Sequence, residues 1–155
     1  MLQNCSFCFS TFLPIIIAST MVLQISVVPA STQAGKATIE VLLADPGRPI
    51  INAVYRNPSK APAELTKHER FRAVKGDVGE ASSLSFQDSE AVFYIPPPIY
   101  DGTTDTAEFA TTTGENIKAA LEKASSVKRL LLFSALGAEN ASGIVSLAST
   151  SASSN

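Results

Sequence analysis

The chain lacks tryptophan altogether and has one histidine, His68, and two cysteines, Cys5 and Cys8, among its 155 residues. A single imidazole cannot build a histidine-rich metal site, and it leaves little room for a Ser-His-Asp relay. His68 lies in the polar stretch TKHER and reads as a solvated surface residue. Cys5 and Cys8 make one CxxC. A structural zinc site needs a second pair of ligands, and no other cysteine exists to supply it. A basic footprint is missing as well. The formal net charge of −2 argues against a nucleic-acid or acidic-surface partner. Charge is absent from both ends: no Asp, Glu, Lys or Arg precedes Lys36 or follows Glu139.

The ends therefore differ in kind from the middle. Residues 1–20 are apolar and resemble the hydrophobic part of a targeting segment, but lack the positive start that secretory signals carry. Pro14 inside the run argues against a membrane helix, although the stretch through Val28 has the length to span a bilayer. From Met21 onward, MVLQISVV reads as a start followed directly by a strand. Residues 140–155 are rich in Ser and Ala and bury too little apolar area to offset the entropy of ordering. The expected division is an extension over 1–20, one domain over 21–139 and a disordered tail over 140–155. A cytoplasmic protein without membrane contact is expected, with targeting or anchoring by residues 1–28 as the alternative.

What is present in the middle is alternation. Apolar runs at Ile25–Val28, Ile50–Tyr55, Phe71–Val74, Ala91–Ile95 and Arg129–Phe133 read as five strands. Helical patterns lie between them. The first runs from about Gly35 to Leu43, with apolar positions Ala37, Val41 and Leu42, and stops at Asp45-Pro46-Gly47. Residues 58–65 read as a short helix or irregular turn, 80–86 as a short helix, and 108–125 as a long one, with Gly114 as its weak point. Strands alternating with helices predict an α/β fold, a doubly wound parallel sheet of Rossmann type. Right-handed crossovers then place every loop that follows a strand on one edge of the sheet, where a ligand binds.

Those loops hold the candidate site. The first contains Ser31, Thr32, Gln33, Ala34 and Gly35. Small residues permit close backbone approach, and Ser31 and Thr32 add hydroxyl donors for phosphate. Gly35 allows tight packing of helix on strand, and the helix N-terminus attracts a pyrophosphate. Only this one glycine remains of the usual Gly-rich pattern. Arg56 directly follows the second strand, where an acidic residue selects NAD and an arginine accommodates the 2′-phosphate of NADP. Lys60 adds a second positive charge. Asp77 and Val78 follow the third strand and are placed to meet the adenine, with helix capping an equal alternative for Asp77. Ile95 and Pro96 follow the fourth strand, where Pro96-Pro97-Pro98 is expected beside a nicotinamide. The implied ligand is NADP(H), with NAD(H) as the second choice. None of the three tyrosines has a lysine four residues on, so no tyrosine–lysine acid/base pair is present and no catalytic residue is assigned.

Together, VVPASTQAGKATIEVLLAD, VYRNPSKAP, AVKGDV, AVFYIPPPIYDG and AALEKASSVKRLLLFSALGAE resemble the NmrA-like family of atypical short-chain dehydrogenases. The resemblance covers about residues 21–139. It implies a dinucleotide-binding Rossmann domain acting as a redox sensor or regulator, with a protein partner in that case. The alternatives are a truncated NADPH-dependent quinone or double-bond reductase, or a remnant without function. It also implies that Ser134, at the end of the fifth strand, stands where such enzymes polarise a substrate carbonyl. The family continues beyond the fifth strand with further sheet and a substrate region. Without them, the surface of the fifth strand is expected to be exposed.

Overall fold

A computed structural model describes residues 22–97 and 103–133. Its centre is a five-stranded sheet in which every strand runs parallel to its neighbours: β1 (Gln24–Val28), β2 (Ile50–Tyr55), β3 (Phe71–Lys75), β4 (Ala91–Tyr94) and β5 (Arg129–Leu132). Their spatial order is β3-β2-β1-β4-β5. The order reverses between β1 and β4, which makes the carboxyl end of β1 the switch point of the sheet. The expected doubly wound α/β fold is the observed one.

The sheet forms because β1 and β2 are apolar on both faces. Val27 and Val28 are adjacent in sequence and both fully buried. Such a strand is stable only with helices above and below it. Helix α1 (Gln33–Ala44) covers one face and α3 (Thr106–Glu122) the other. Val27, Ile51, Ala53 and Phe71 pack on the α1 side with Ile39 and Leu43. Val28, Val54 and Val92 pack on the α3 side with Ile117 and Ala120. Full burial of each such aliphatic side chain contributes about 1.5–3 kcal/mol. Buried Ser26, Asn52 and Ser89 satisfy one another on the α3 side, with Asn52 Nδ2 donating to Ser89 Oγ at 3.3 Å.

Helix α1 starts two residues earlier than the sequence indicates. Thr32 caps it, its Oγ1 accepting from the Gly35 amide at 3.0 Å. The buried face also differs from the expected one. It is Gly35, Ile39 and Leu43, while Ala37 is exposed and Val41 lies 70% exposed. The helix is apolar around much of its circumference near its end, so pattern alone did not fix its rotation. Close contact of Gly35 with the preceding loop did. At the other end, Arg70 donates to the Leu43 carbonyl and, at 3.3 Å, to the Pro49 carbonyl. A cation there satisfies a terminal acceptor and complements the helix dipole.

The stretch 58–65 resolves into a 3-10 turn (Pro58–Lys60) and a single-turn helix, α2 (Ala63–Thr66). The helix expected over 80–86 is absent. Only Ala81–Ser83 form a 3-10 turn, and Leu84 and Phe86 are both buried with Ser85 exposed between them. Burial at alternate positions belongs to extended chain, not to a helix. Ser83 also turns its hydroxyl on the backbone, accepting from the Asp77 amide at 2.8 Å, which competes with helix formation.

An added Cβ at Gly114 would meet nothing within 4 Å. Gly114→Ala is therefore expected to raise stability by about 0.5–1 kcal/mol through the unfolded chain and helix propensity. Urea denaturation reads this directly. Among the described residues β5 is an edge strand, and Leu130, Leu131, Leu132 and Phe133 are each half exposed. Phe133 is held edge-on against Phe93, with ring centroids 6.4 Å apart. Among the described residues, four consecutive apolar side chains from Leu130 to Phe133 are thus open, as expected for the fifth strand.

No helix among the described residues is long and apolar enough to cross a membrane. None of them form a group of three or more potential metal ligands. Cys5, Cys8, Pro98, Ser134 and both terminal segments lie outside the described residues.

Candidate functional site

The loops after β1, β2 and β3 meet in a cleft of about 680 Å³ at the carboxyl edge of the sheet. Its walls include Ser31 and Thr32 from the first loop, Arg56, Asn57 and Lys60 from the second, and Gly76, Asp77 and Val78 from the third. Pro97, Thr104 and Phe109 close the remaining side. The sequence carries these residues up to 78 positions apart. Parallel strands joined by crossovers are what bring them to one edge.

The first loop is built by three contacts. The Ala30 amide donates to the Val54 carbonyl at 2.8 Å, tying the loop to β2. Thr32 Oγ1 donates to the Pro29 carbonyl at 3.2 Å while accepting from Gly35. Gly35 packs so closely that a Cβ there would lie 2.7 Å from the Pro29 carbonyl oxygen and 3.1 Å from the Ala30 Cα. The Val28–Pro29 peptide bond is cis. Capping satisfies the Gly35 amide, and the Lys36 amide bonds the Thr32 carbonyl at 2.9 Å. The amides of Gln33 and Ala34 precede the first intrahelical donor, Lys36, and have no partner within the helix. They sit at the positive end of the α1 dipole and suit an anionic group. The hydroxyl expected to donate to phosphate from Thr32 is committed to the loop itself, so the Ser31 hydroxyl is the exposed one.

Arg56 stands at the end of β2, 79% exposed, and forms an ion pair with Asp77, its Nε 2.8 Å from Asp77 Oδ2. The other oxygen of Asp77 accepts from the Gly79 amide at 2.9 Å. Asp77 therefore caps no helix: its carboxylate holds its own turn with one oxygen and Arg56 with the other. Lys60 lines the cleft and makes no ion pair among the described residues. The turn that presents it is fixed by Asn57, whose Oδ1 accepts from the Ser59 amide at 3.1 Å and the Ser59 hydroxyl at 2.6 Å.

Other sequence candidates fall elsewhere. Ile95 is buried in the core on the α1 side, its amide donating to the Val28 carbonyl at 2.9 Å. Pro96 is exposed and does not line the cleft, whereas Pro97 does. Gln33, Ala34 and Gly35 do not line the cleft, and Val78 faces both the cleft and the core on the α3 side. Pro29, Asn57 and Gly76 lie in loops expected at this edge but were not singled out, and sequence reasoning missed Tyr55, Thr104 and Phe109. Gly76 had a legible signal, a glycine directly after a strand. A Cβ on it would lie 2.7 Å from Val54 Cγ1, so the third loop approaches β2 closely only because Gly76 lacks one.

Both described tyrosines have buried hydroxyls. Tyr94 Oη is buried and 3.0 Å from Thr113 Oγ1, and burial pushes its pKa up. Tyr55 Oη is buried without a hydrogen-bond partner, and burial raises its pKa too. The edge thus offers helix-terminal amides, two cations and a cleft wall formed by close backbone contacts. These residues fit a dinucleotide.

The model of a family described as NAD(P)H-binding matches residues 30–152. The chain belongs to that family. The match extends through most of the segment expected to be a tail. Comparison with curated proteins gives no match. Among solved structures, the NAD(P)H-binding chain is similar to the triphenylmethane reductase of Citrobacter sp. complexed with NADP(H). The two are 27% identical with a TM-score of 0.57, over 71% of this chain and 36% of the reductase. A short-chain dehydrogenase/reductase from Veillonella parvula is 20% identical with a TM-score of 0.58, over 75% of this chain and 49% of that one. Vestitone reductase from alfalfa is 17% identical with a TM-score of 0.55, over 70% and 35%. The last two show the fold alone. The chain spans between about a third and a half of the length of these proteins.

Proposed function

We propose that this NAD(P)H-binding domain takes NADP(H) in preference to NAD(H). The observation that carries this reading is that Arg56 and Lys60 line the same cleft as Ser31 and Thr32, the residues that lead into α1. The pyrophosphate would lie on the amides of Gln33 and Ala34, with Gly35 leaving room for the backbone to approach. The 2′-phosphate would lie on Arg56 and Lys60, and the adenine against Val78 and the Asp77 turn. When bound, the dinucleotide supplies hydride chemistry. The residues described here hold it, and none of them is placed to move a proton. The domain accordingly acts as a sensor of the cytoplasmic NADPH pool, read out through a protein partner.

A second reading is a reductase. It is favoured by the 27% identity to a triphenylmethane reductase complexed with NADP(H). Ser134 would stand near the nicotinamide, and substrate residues would come from outside the described region.

The test of preference is equilibrium binding of NADPH and NADH, followed by dinucleotide fluorescence. Arg56→Ala is expected to weaken NADPH about ten- to a hundred-fold, the worth of hydrogen bonds to a charged group, and to leave NADH far less affected. Equal loss for both dinucleotides would overturn the 2′-phosphate assignment. Turnover of NADPH with a dye or quinone panel separates reductase from sensor.

A further inference from the structure

The arginine assigned to the 2′-phosphate is already engaged by an anion. Asp77 Oδ2 sits 2.8 Å from Arg56 Nε. The carboxylate does not swing freely, because its Oδ1 is held by the Gly79 amide at 2.9 Å. Among the described residues, Asp77 is the one carboxylate that pairs with Arg56. The charged side chains lining the cleft are Arg56, Lys60 and Asp77, which sum to one positive charge. A phosphate monoester brings close to two negative charges at neutral pH. Without Asp77, the two cations would match it; with Asp77, one of them is partly neutralised.

We infer that Asp77 is a specificity-determining residue that lowers the preference for NADP(H) by competing with the 2′-phosphate for Arg56. This inference rests on the reading of Arg56 given above. An NAD(H) ribose carries no charge at that position and leaves the pair closed. A 2′-phosphate has to share Arg56 with a fixed carboxylate. Because Arg56 is largely exposed, the ion pair contributes little to stability and is cheap to loosen. The pair thus sets the degree of discrimination and not the fold.

The test measures NADPH and NADH dissociation constants for the full chain, D77N, R56A and the double variant. Asn at 77 keeps an oxygen for the Gly79 amide while removing the charge. D77S provides a second route with a hydroxyl acceptor, and circular dichroism checks that each variant is folded. Any contact of residue 77 with the adenine is common to both dinucleotides and cancels in the ratio of affinities. Expected is a rise in the NADPH:NADH affinity ratio of up to about five-fold in D77N, the size of an exposed ion pair, absent from the R56A background. An unchanged or reduced ratio in D77N overturns the inference. So does a gain that persists without Arg56. If the native chain prefers NADPH, R56A abolishes the preference and D77N changes nothing, this inference fails and the reading of Arg56 stands. If the native chain shows no preference but D77N gains one through Arg56, the inference stands and the proposed NADP(H) preference fails. No preference in either overturns both.

Discussion

Gly35→Val is expected to abolish measurable NADPH binding and to destabilise the domain by about 3 kcal/mol, an overpacking cost at a site with no slack. The reason lies in what surrounds the missing side chain. A Cβ at this position would meet the Pro29 carbonyl oxygen at 2.7 Å, Thr32 Oγ1 at 2.9 Å and the Ala30 Cα at 3.1 Å. Two of these are backbone atoms of a loop pinned to β2 through the Ala30 amide, so the loop cannot give way cheaply. The third is the oxygen that caps α1. Relief of the clash displaces either the cap or the loop, and both shape the anion site. A domain of this size has only about 5–15 kcal/mol in all, so the loss is visible in thermal melting as well as in binding. The contrast with Gly114→Ala is the control. Both positions are helical glycines, yet one substitution meets backbone and the other meets nothing within 4 Å. A Gly35→Val chain that retained native stability and NADPH affinity would sink this account of the loop.

Phe86→Ala is expected to be the most damaging core truncation for its position, at about 3–5 kcal/mol. Phe86 lies outside every helix and strand, yet it is only 1% exposed and is the largest fully buried side chain among the described residues. It sits with Leu84 and Val78 in the core beneath α3, beside Ile117 and Ala120. The segment from Gly76 to Ser89 takes the place of a crossover helix, so its own apolar side chains must seal that side of the sheet. Removing the ring leaves a cavity that extended chain, tied at both ends to the sheet, closes poorly. Val78 shares that core and also lines the cleft. The substitution should therefore weaken dinucleotide binding along with stability. Urea denaturation measures the first effect and NADPH titration the second. A loss below about 1 kcal/mol would place Phe86 outside the core's energetics.

The two substitutions also show where sequence stops being sufficient. By itself the sequence determined the strands, their alternation with helices, and hence the parallel sheet. β2 runs from Ile50 to Tyr55 as its apolar run indicates, because a strand covered on both faces tolerates little else. The topology rule then named the edge, and Arg56 and Asp77 could be placed on it from their position after a strand. Short-range chemistry was legible too, as in the stop of α1 before Pro46-Gly47.

Only the tertiary structure decided the rest. The rotation of α1 depends on which face meets the loop, and its apolar residues on several sides left Val41 and Ile39 indistinguishable until Gly35 was seen against Pro29 and Ala30. The segment around Phe86 looked helical by composition, but burial at alternate positions under α3 drew it out straight. The Arg56–Asp77 pair joins residues from two different loops across the cleft, a contact that no local pattern encodes. Thr32 had a hydroxyl suited to phosphate or to capping, and the geometry of the turn chose capping. Period and propensity act over a few neighbouring residues, so the chain could specify its elements and their shared edge. Rotation, close approach and pairing across loops arise from contacts between elements, and these exist only once the sheet has assembled.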